Sequence, residues 1–324
     1  MVQAIRIHET GGPEVMRYEQ VEVGAPGPGE ARVRNTAIGV NYVDTYNRSG
    51  LYPLVLPSGL GSEGAGVVVA LGAGVDYLKA GDRVAYCVGP QGAYAEERVM
   101  PADRLVKIPH GIDDVTAATA MLKGLTVQYL FRQTHVLKGG ETILFHAAAG
   151  GVGLIACQWA RALGVTMIGT VGSDAKAEVA RANGCAHTIV YTRENFVERV
   201  KAITGGNGVP VVYDSIGKDT FPASLDCLSP RGLFVSFGSS SGPVPPFSVG
   251  MLAPKGSLYV TRPTLFTYAA RRADLLAMAD ELFALILAGK IKSEARQRFA
   301  LKDAADAHRA LESRATIGAT VLIP

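Results

Sequence analysis

Two rhythms of apolar and polar positions divide the chain. Up to about residue 125 the apolar residues fall in short alternating runs: Gln3–His8, Ala31–Ile38, Gly66–Leu71 and Arg83–Tyr86. Turn clusters rich in Gly and Pro, such as Gly24–Gly29 and Leu78–Asp82, separate them. Alternation marks half-buried strands, so this part is expected to be mainly β. Gly39–Gly50 breaks the rhythm, because between strand-like flanks it carries Asn41, Tyr42 and Tyr46, with Tyr52 just beyond. Two helical stretches, Asp113–Met121 and Gly124–Thr134, come next.

From Thr142 onward strand and helix patterns alternate. Strands are expected at 142–146, 165–171, 187–191, 209–214 and 232–237, and helices at 152–163, 175–182, 194–203 and 220–228. That alternation predicts an α/β fold, a parallel sheet covered on both faces. Ser257–Thr261 supplies a sixth strand, which completes a dinucleotide-binding fold. The helices at 272–288 and 303–313 and a closing strand at 318–323 then fit a return to the first domain.

The centre of the pattern runs from Glu141 to Gly164. A short buried-strand sequence, Thr142–His146, meets Ala-Ala-Ala-Gly-Gly-Val-Gly, and Val152, Ile155, Ala156, Trp159 and Leu163 then fall on one helical face. Strand, small-residue turn and helix form a site for a pyrophosphate at a helix N-terminus. The Gly-x-Gly-x-x-Gly positions are Ala148, Gly150 and Gly153, one glycine short. The literal match is Gly59, Gly61 and Gly64, but it leads into a strand-like run, so it reads as a turn entering a strand.

Composition changes this picture little. A chain of 324 residues suggests about two domains. Its net charge of +3, from 32 basic and 29 acidic residues, gives no case for nucleic acid or membrane as main partner. The N-terminus, Met-Val-Gln-Ala-Ile-Arg, has no apolar signal core, which predicts a cytoplasmic protein. Thr142–Ala160 is uncharged and long enough to imitate a membrane span, but His146, Gln158 and three glycines argue for a buried strand and helix. Cys87, Cys157, Cys185 and Cys227 form no Cys-x-x-Cys pair and read as reduced, mostly buried thiols. The histidines are equally scattered, so no metal site is expected.

Cofactor choice is read about 20 positions past the glycine turn, where an acid would bind the ribose hydroxyls of NAD. Gly172 and Ser173 occupy that strand end, and Asp174 opens the next helix, where a cap or first-turn role is expected. Lys176 and Tyr191 add a cation and a hydroxyl, a set that favours NADPH, with Asp174 as the residue that speaks against it. Ser215 and the 238–242 loop follow strands and point to the same ligand cleft. Gly238-Ser239-Ser240-Ser241-Gly242 also fits a hydrolase elbow, but Pro-Val-Pro-Pro follows it and cannot start the required helix. Tyr46 and Tyr52 fit half-buried packing as well as a functional role.

Four segments carry a resemblance over essentially the whole chain: Ala-Ile-Gly-Val-Asn-Tyr-Val-Asp-Thr-Tyr (37–46), Leu-Lys-Gly-Leu-Thr (122–126), His-Ala-Ala-Ala-Gly-Gly-Val-Gly (146–153) and Gly-Ser-Leu-Tyr-Val-Thr-Arg-Pro (256–263). The chain is similar to the zinc-independent NADPH:quinone oxidoreductases, the zeta-crystallin-like branch of the medium-chain dehydrogenase/reductases. The resemblance implies a Rossmann-type doubly wound parallel sheet over 126–261. It also implies a mainly β, GroES-like catalytic domain over 1–125, completed by 262–324. Zinc-dependent relatives carry a cysteine where this chain has Asn41, and Gly-His-Glu where it has Gly61-Ser62-Glu63.

The same resemblance implies NADPH contacts from Tyr42, Asp44, Tyr46 and Thr126, and from the turn residues Gly150, Gly151, Val152 and Gly153. At the ribose it implies Gly172, Ser173, Lys176 and Tyr191; further along it implies Ser215, Phe237, Gly238, Ser239 and Ser240, then Thr264 and Leu265. Asn41, Tyr46 and Tyr52, with Arg262 from the family pattern, are the expected catalytic groups, acting on a quinone or enone. Homodimers through the nucleotide-binding domains are implied as well. An enone reductase and a non-catalytic NADPH-binding crystallin are the alternatives.

Overall fold

Residues 1–324 are described by a computed structural model. The first part of the chain supplies β1 (Val2–Ile7), β2 (Arg17–Val21), β3 (Glu30–Val40), β4 (Ser58–Gly59), β5 (Glu63–Leu71), β6 (Arg83–Tyr86), β7 (Glu97–Pro101) and β8 (Val106–Lys107). The central part supplies β9 (Thr142–Phe145), β10 (Thr166–Val171), β11 (His187–Val190), β12 (Val209–Asp214), β13 (Leu228–Ser236) and β14 (Tyr259–Thr261), and the end supplies β15 (Ala295–Ala300) and β16 (Ala319–Ile323). The helices are α1 (Tyr42–Ser49), α2 (Asp114–Tyr129), α3 (Gly151–Ala162), α4 (Asp174–Ala182), α5 (Phe196–Ile203), α6 (Leu265–Tyr268), α7 (Arg272–Leu287) and α8 (Ala304–Glu312). Two compact units result: Met1–Leu125 with Tyr268–Pro324, and Thr126–Thr267. The return to the first unit thus follows Thr267 rather than Arg262. Arg262 stays with the second sheet because its guanidinium donates to the Ser236 carbonyl at the end of β13.

In the first unit β3 is the spine. It pairs antiparallel with β5, β7 and β16, inside a sheet ordered β15-β16-β3-β5-β6-β8. A second, three-stranded sheet is ordered β2-β1-β4. Ile5, Ile7, Val33, Ile38, Leu60, Val84, Tyr94 and Leu322 form the shared core. The turn expected at Gly59–Gly64 does enter a strand, β5. β2, β7 and β15 were not legible: β2 is largely exposed, β7 ends on a proline, and β15 is an edge strand with charged residues. The two helical stretches expected at 113–134 are one α-helix, α2, closed by a π-turn over Leu130–Thr134. Gly124 does not break it; a Cβ there would lie 2.5 Å from a Leu282 methyl, so the glycine is a packing contact for α7.

In the second unit all six strands are parallel, in the order β11-β10-β9-β12-β13-β14. That is the doubly wound dinucleotide order, with its switch point between β9 and β12. Thr142–Ala160 forms β9, a turn and α3, and no helix is long and apolar enough to cross a membrane. The helix expected at 220–228 is only a 3-10 turn, Ala223–Cys227. Pro222 brings no N–H, and the Thr220 and Ser224 hydroxyls bond to the Asp214 carboxylate instead.

One buried charge ties α1 to α8. Arg48 pairs with Glu312 at 2.7 Å, donates to the Gly11 carbonyl at 3.1 Å, and lies 2.9 Å from His308 Nδ1. Arg48→Met is therefore expected to destabilise the protein by about 3 kcal/mol. Chemical denaturation of both proteins checks this; a loss below about 0.5 kcal/mol would place Arg48 among ordinary surface residues.

Candidate active site

The glycine turn forms because β9 must hand over to a helix at once. Ala147 takes the left-handed conformation (φ 57°), Ala148 N–H donates to Thr170 O at 3.0 Å, and Gly150 N–H donates to Ala147 O at 3.0 Å. Gly150 is then the N-cap of α3 in an extended conformation, and no side chain caps the helix. A Cβ at Gly153 would lie 2.3 Å from the Ala147 carbonyl oxygen, so α3 can press onto this turn only through a glycine. The turn therefore offers helix N-terminal N–H groups at the C-terminal edge of the sheet, which fits a dinucleotide pyrophosphate. His146, directly after β9, is a core residue. Its ring lies between the Thr170 and Ser224 hydroxyls, 2.9 Å from each, and burial holds its pKa below the usual value.

The neighbouring strand ends build the rest of the cradle. Ser173 caps α4, its hydroxyl accepting the Lys176 N–H at 3.4 Å, and Asp174 is the first helical residue. The Tyr191 hydroxyl lies over Gly172, where a Cβ would be 3.0 Å from it. At the end of β12, Asp214 accepts from the N–H groups of Ile216 and Gly217, at 2.7 and 3.0 Å, which curls the Ser215 loop. Ser240 N–H donates to Ser215 O at 3.1 Å, and the Phe237 ring stacks 5.5 Å from Phe145. Ser215, Phe237, Gly238, Ser239 and Ser240 are thereby brought together.

In the first unit the segment that breaks the strand rhythm is helix α1, with Tyr52 just beyond its end. Asn41 N–H donates to Asp44 Oδ2 at 2.8 Å, which starts the helix. Tyr42, Tyr46 and Tyr52 form a ladder with centroid separations of 5.5 and 5.2 Å. Asn41 itself is buried and engaged. Lys123 Nζ donates to Asn41 Oδ1 at 2.7 Å and to Glu63 Oε2 at 3.0 Å, and Asn41 Nδ2 donates to the same carboxylate oxygen at 2.8 Å. The Leu122 N–H donates to the other oxygen at 2.7 Å. Glu63 is fully buried, and the Lys123 side chain is 6 % exposed.

A second buried chain reaches Asp44. Arginine can only donate, so His308 Nδ1 accepts from Arg48 and Nε2 carries the proton toward Tyr94 Oη, 3.0 Å away. Tyr94 in turn donates to Asp44 Oδ2 at 2.9 Å. Burial raises Asp44 to about 7 and lowers His308 to about 3.

Lys123, Glu63 and Arg193 escaped sequence reasoning as site residues. Long-range pairing decides their roles, and only the presence of Lys123 and Glu63 in distinctive segments hinted at them. Thr126 is buried in α2, and Thr264 and Leu265 lie just before and at the start of α6. All four cysteines are buried and free, and no three His, Cys, Asp or Glu side chains are grouped to hold a metal.

The sheet order, the glycine turn and the β unit define a medium-chain dehydrogenase/reductase. Residues 151–281 match the zinc-binding dehydrogenase family and residues 27–110 the alcohol dehydrogenase GroES-like domain. The chain is 60% identical to a quinone oxidoreductase of Pseudomonas aeruginosa and 50% identical to a 2-haloacrylate reductase of a Burkholderia species, with 100% of the chain aligned in each case to 100% and 99% of the relative. It superposes on the crystal structure of Escherichia coli quinone oxidoreductase complexed with NADPH with a TM-score of 0.98 at 52% identity, covering 99% of this chain and 100% of that one. The chain belongs to the quinone oxidoreductase family of the medium-chain dehydrogenase/reductases. The zinc in the matched family's description does not fit the residues here: the Asn41 amide, the Lys123 ammonium and the Leu122 N–H take up the Glu63 carboxylate, and Ser62 donates its hydroxyl to Asp44.

Asp44 gives a pH test. Its folded pKa lies above that of the unfolded chain, so its contribution is fully present below about 4 and is lost as pH rises through about 7. Asp44→Asn lacks this dependence, whereas the His308 contribution, lost on acidification below about 6.5, is common to both proteins. The melting temperature of Asp44→Asn relative to wild type should therefore climb between about pH 4 and 7.5 and then level off. A flat or falling difference contradicts the assignment.

Proposed function

We propose that the chain is a zinc-independent NADPH:quinone oxidoreductase of the cytoplasm. The observation that carries this reading is the cradle at the strand ends of the second unit. An uncapped helix N-terminus over the Gly150–Gly153 turn adjoins a ribose rim of Gly172, Ser173, Lys176 and Tyr191. The N–H groups of Gly151, Val152 and Gly153 receive the pyrophosphate, and Lys176 and Ser173 face the 2′-phosphate. The Ser215 and 237–240 loops, with Arg262, Thr264 and Leu265, hold the nicotinamide end, and Tyr42, Tyr46 and Thr126 are assigned as further contacts. Asp44, expected among them, is instead fully buried and taken up by the Asn41 N–H and the Tyr94 hydroxyl, so it supports α1 and does not reach a ligand. The quinone acceptor is supported by the full-length relatives named for it.

The bound nicotinamide supplies a hydride, and the protein supplies position and polar stabilisation. An acceptor that takes up hydride develops negative charge on oxygen, which calls for hydrogen-bond donors or a cation rather than a strong base. Tyr46, Tyr52 and Arg262 are the donors we assign to that oxygen. Asn41 acts as a positioning residue, because its amide is held by Lys123 and Glu63 while its backbone starts α1. A homodimer is supported by the edge strand β14, where Tyr259 and Val260 are 61% and 37% exposed.

NADPH oxidation compared with a quinone, with an enone and with no added acceptor tests this reading. Quinone-dependent oxidation should dominate; faster turnover with the enone selects the enone reductase, and no turnover selects a binding protein. In the same assay Tyr46→Phe and Tyr52→Phe should each lower quinone-saturated turnover by about tenfold or less, since a neutral hydrogen bond is worth about 0.5–1.5 kcal/mol. A loss of about a thousandfold from either change, with NADPH affinity intact, would show a dedicated proton donor instead.

A further inference from the structure

If NADPH is the cofactor, as proposed above, one side chain at the ribose rim is out of place. Asp174 follows the Ser173 cap directly. A free carboxylate there repels a 2′-phosphate and suits the paired hydroxyls of an unphosphorylated ribose. Asp174 is not free. Arg193 Nη1 and Nη2 lie 2.5 Å from its Oδ2 and Oδ1, a fork-to-fork pair. The arginine arrives there through backbone geometry. Tyr191 N–H donates to Val171 O at 3.1 Å, and Arg193 N–H donates to Val190 O at 3.0 Å. Thr192 Oγ1 donates to Gly172 O at 3.4 Å. These bonds fasten the turn after β11 onto the end of β10, so Tyr191 and Arg193 enter the rim together. The nearby Glu194 is engaged elsewhere, accepting from Val190 N–H at 2.8 Å and pairing with Arg199 at 3.0 Å.

We propose that Arg193 is a specificity-determining residue for the 2′-phosphate, because its two-pronged pairing takes Asp174 out of ribose recognition. The Asp174–Arg193 pair is neutral as a unit, so the Asp174 carboxylate brings no net negative charge to the rim. Both side chains are more than half exposed, so the pair adds little to stability and its effect lies in the local charge.

The test is calorimetric titration of wild type, Arg193→Ala, Asp174→Ala and the double variant with NADPH, NADH and 2′,5′-ADP. Because the substitutions are on the surface, melting temperatures should match wild type. Arg193→Ala should weaken NADPH and 2′,5′-ADP by about tenfold, the expected effect of one unmasked charge close to a phosphate, while NADH is unchanged or tighter. High salt should narrow that gap. Asp174→Ala alone should bind NADPH at least as tightly as wild type, and the double variant should return to within about threefold of it. Equal weakening of both cofactors by Arg193→Ala, or no weakening, overturns the proposal. So does a double variant as weak as the single, which would make Arg193 a direct phosphate contact. A wild type that itself binds NADH more tightly removes the NADPH reading, and this proposal with it.

Discussion

A carboxylate sealed from water must be compensated where it stands, and the first unit is arranged around that demand at Glu63. Three donors meet the carboxylate: the Lys123 ammonium, the Asn41 amide and the Leu122 N–H. They come from α2 and from the residue that starts α1, while Glu63 itself opens β5. Removing the Lys123 ammonium leaves the buried Glu63 charge uncompensated, whereas an apolar trio of the same volume could hold the fold equally well. The value of the cluster is therefore positional. It fixes the entry of α1, and α1 sets the tyrosine ladder.

The second unit answers to a different constraint, the contact distance between a helix and the turn that feeds it. The Ala147 carbonyl and the Gly153 backbone approach closely enough to exclude any side chain. The same approach leaves the α3 N-terminus bare, so a packing requirement and an anion site share one cause. Beyond the turn, each remaining piece of the cradle is a strand-end loop held by its own acceptor: Asp214 for Ser215, and the Val171 carbonyl for Tyr191. Chemistry at these ends is thus built on rigid elements.

Much of this was legible in the sequence because it obeys local rules. The six parallel strands, the Gly150–Gly153 turn and the first-turn place of Asp174 follow from periodicity and spacing. What local rules miss is decided at a distance. β15 pairs with β16 although its sequence alternates charges, and the helix at 220–228 gave way to the pull of Asp214 on two hydroxyls. Lys123 reads as a surface lysine until Glu63, far away in the chain, is placed beside it. Arg193 likewise gains meaning only when the turn after β11 is fastened to β10.

The Lys123 ammonium and the Asn41 amide take up the one carboxylate that could have served a metal here, Glu63, and on that ground we propose that reduction proceeds without a metal. The most direct measurement is the zinc content of the purified protein, taken on the same sample as its quinone-dependent NADPH oxidation before and after treatment with a chelator. Far less than one zinc per chain and unchanged turnover are expected. One tightly bound zinc per chain, with turnover lost on its removal and restored by its return, would contradict the proposal.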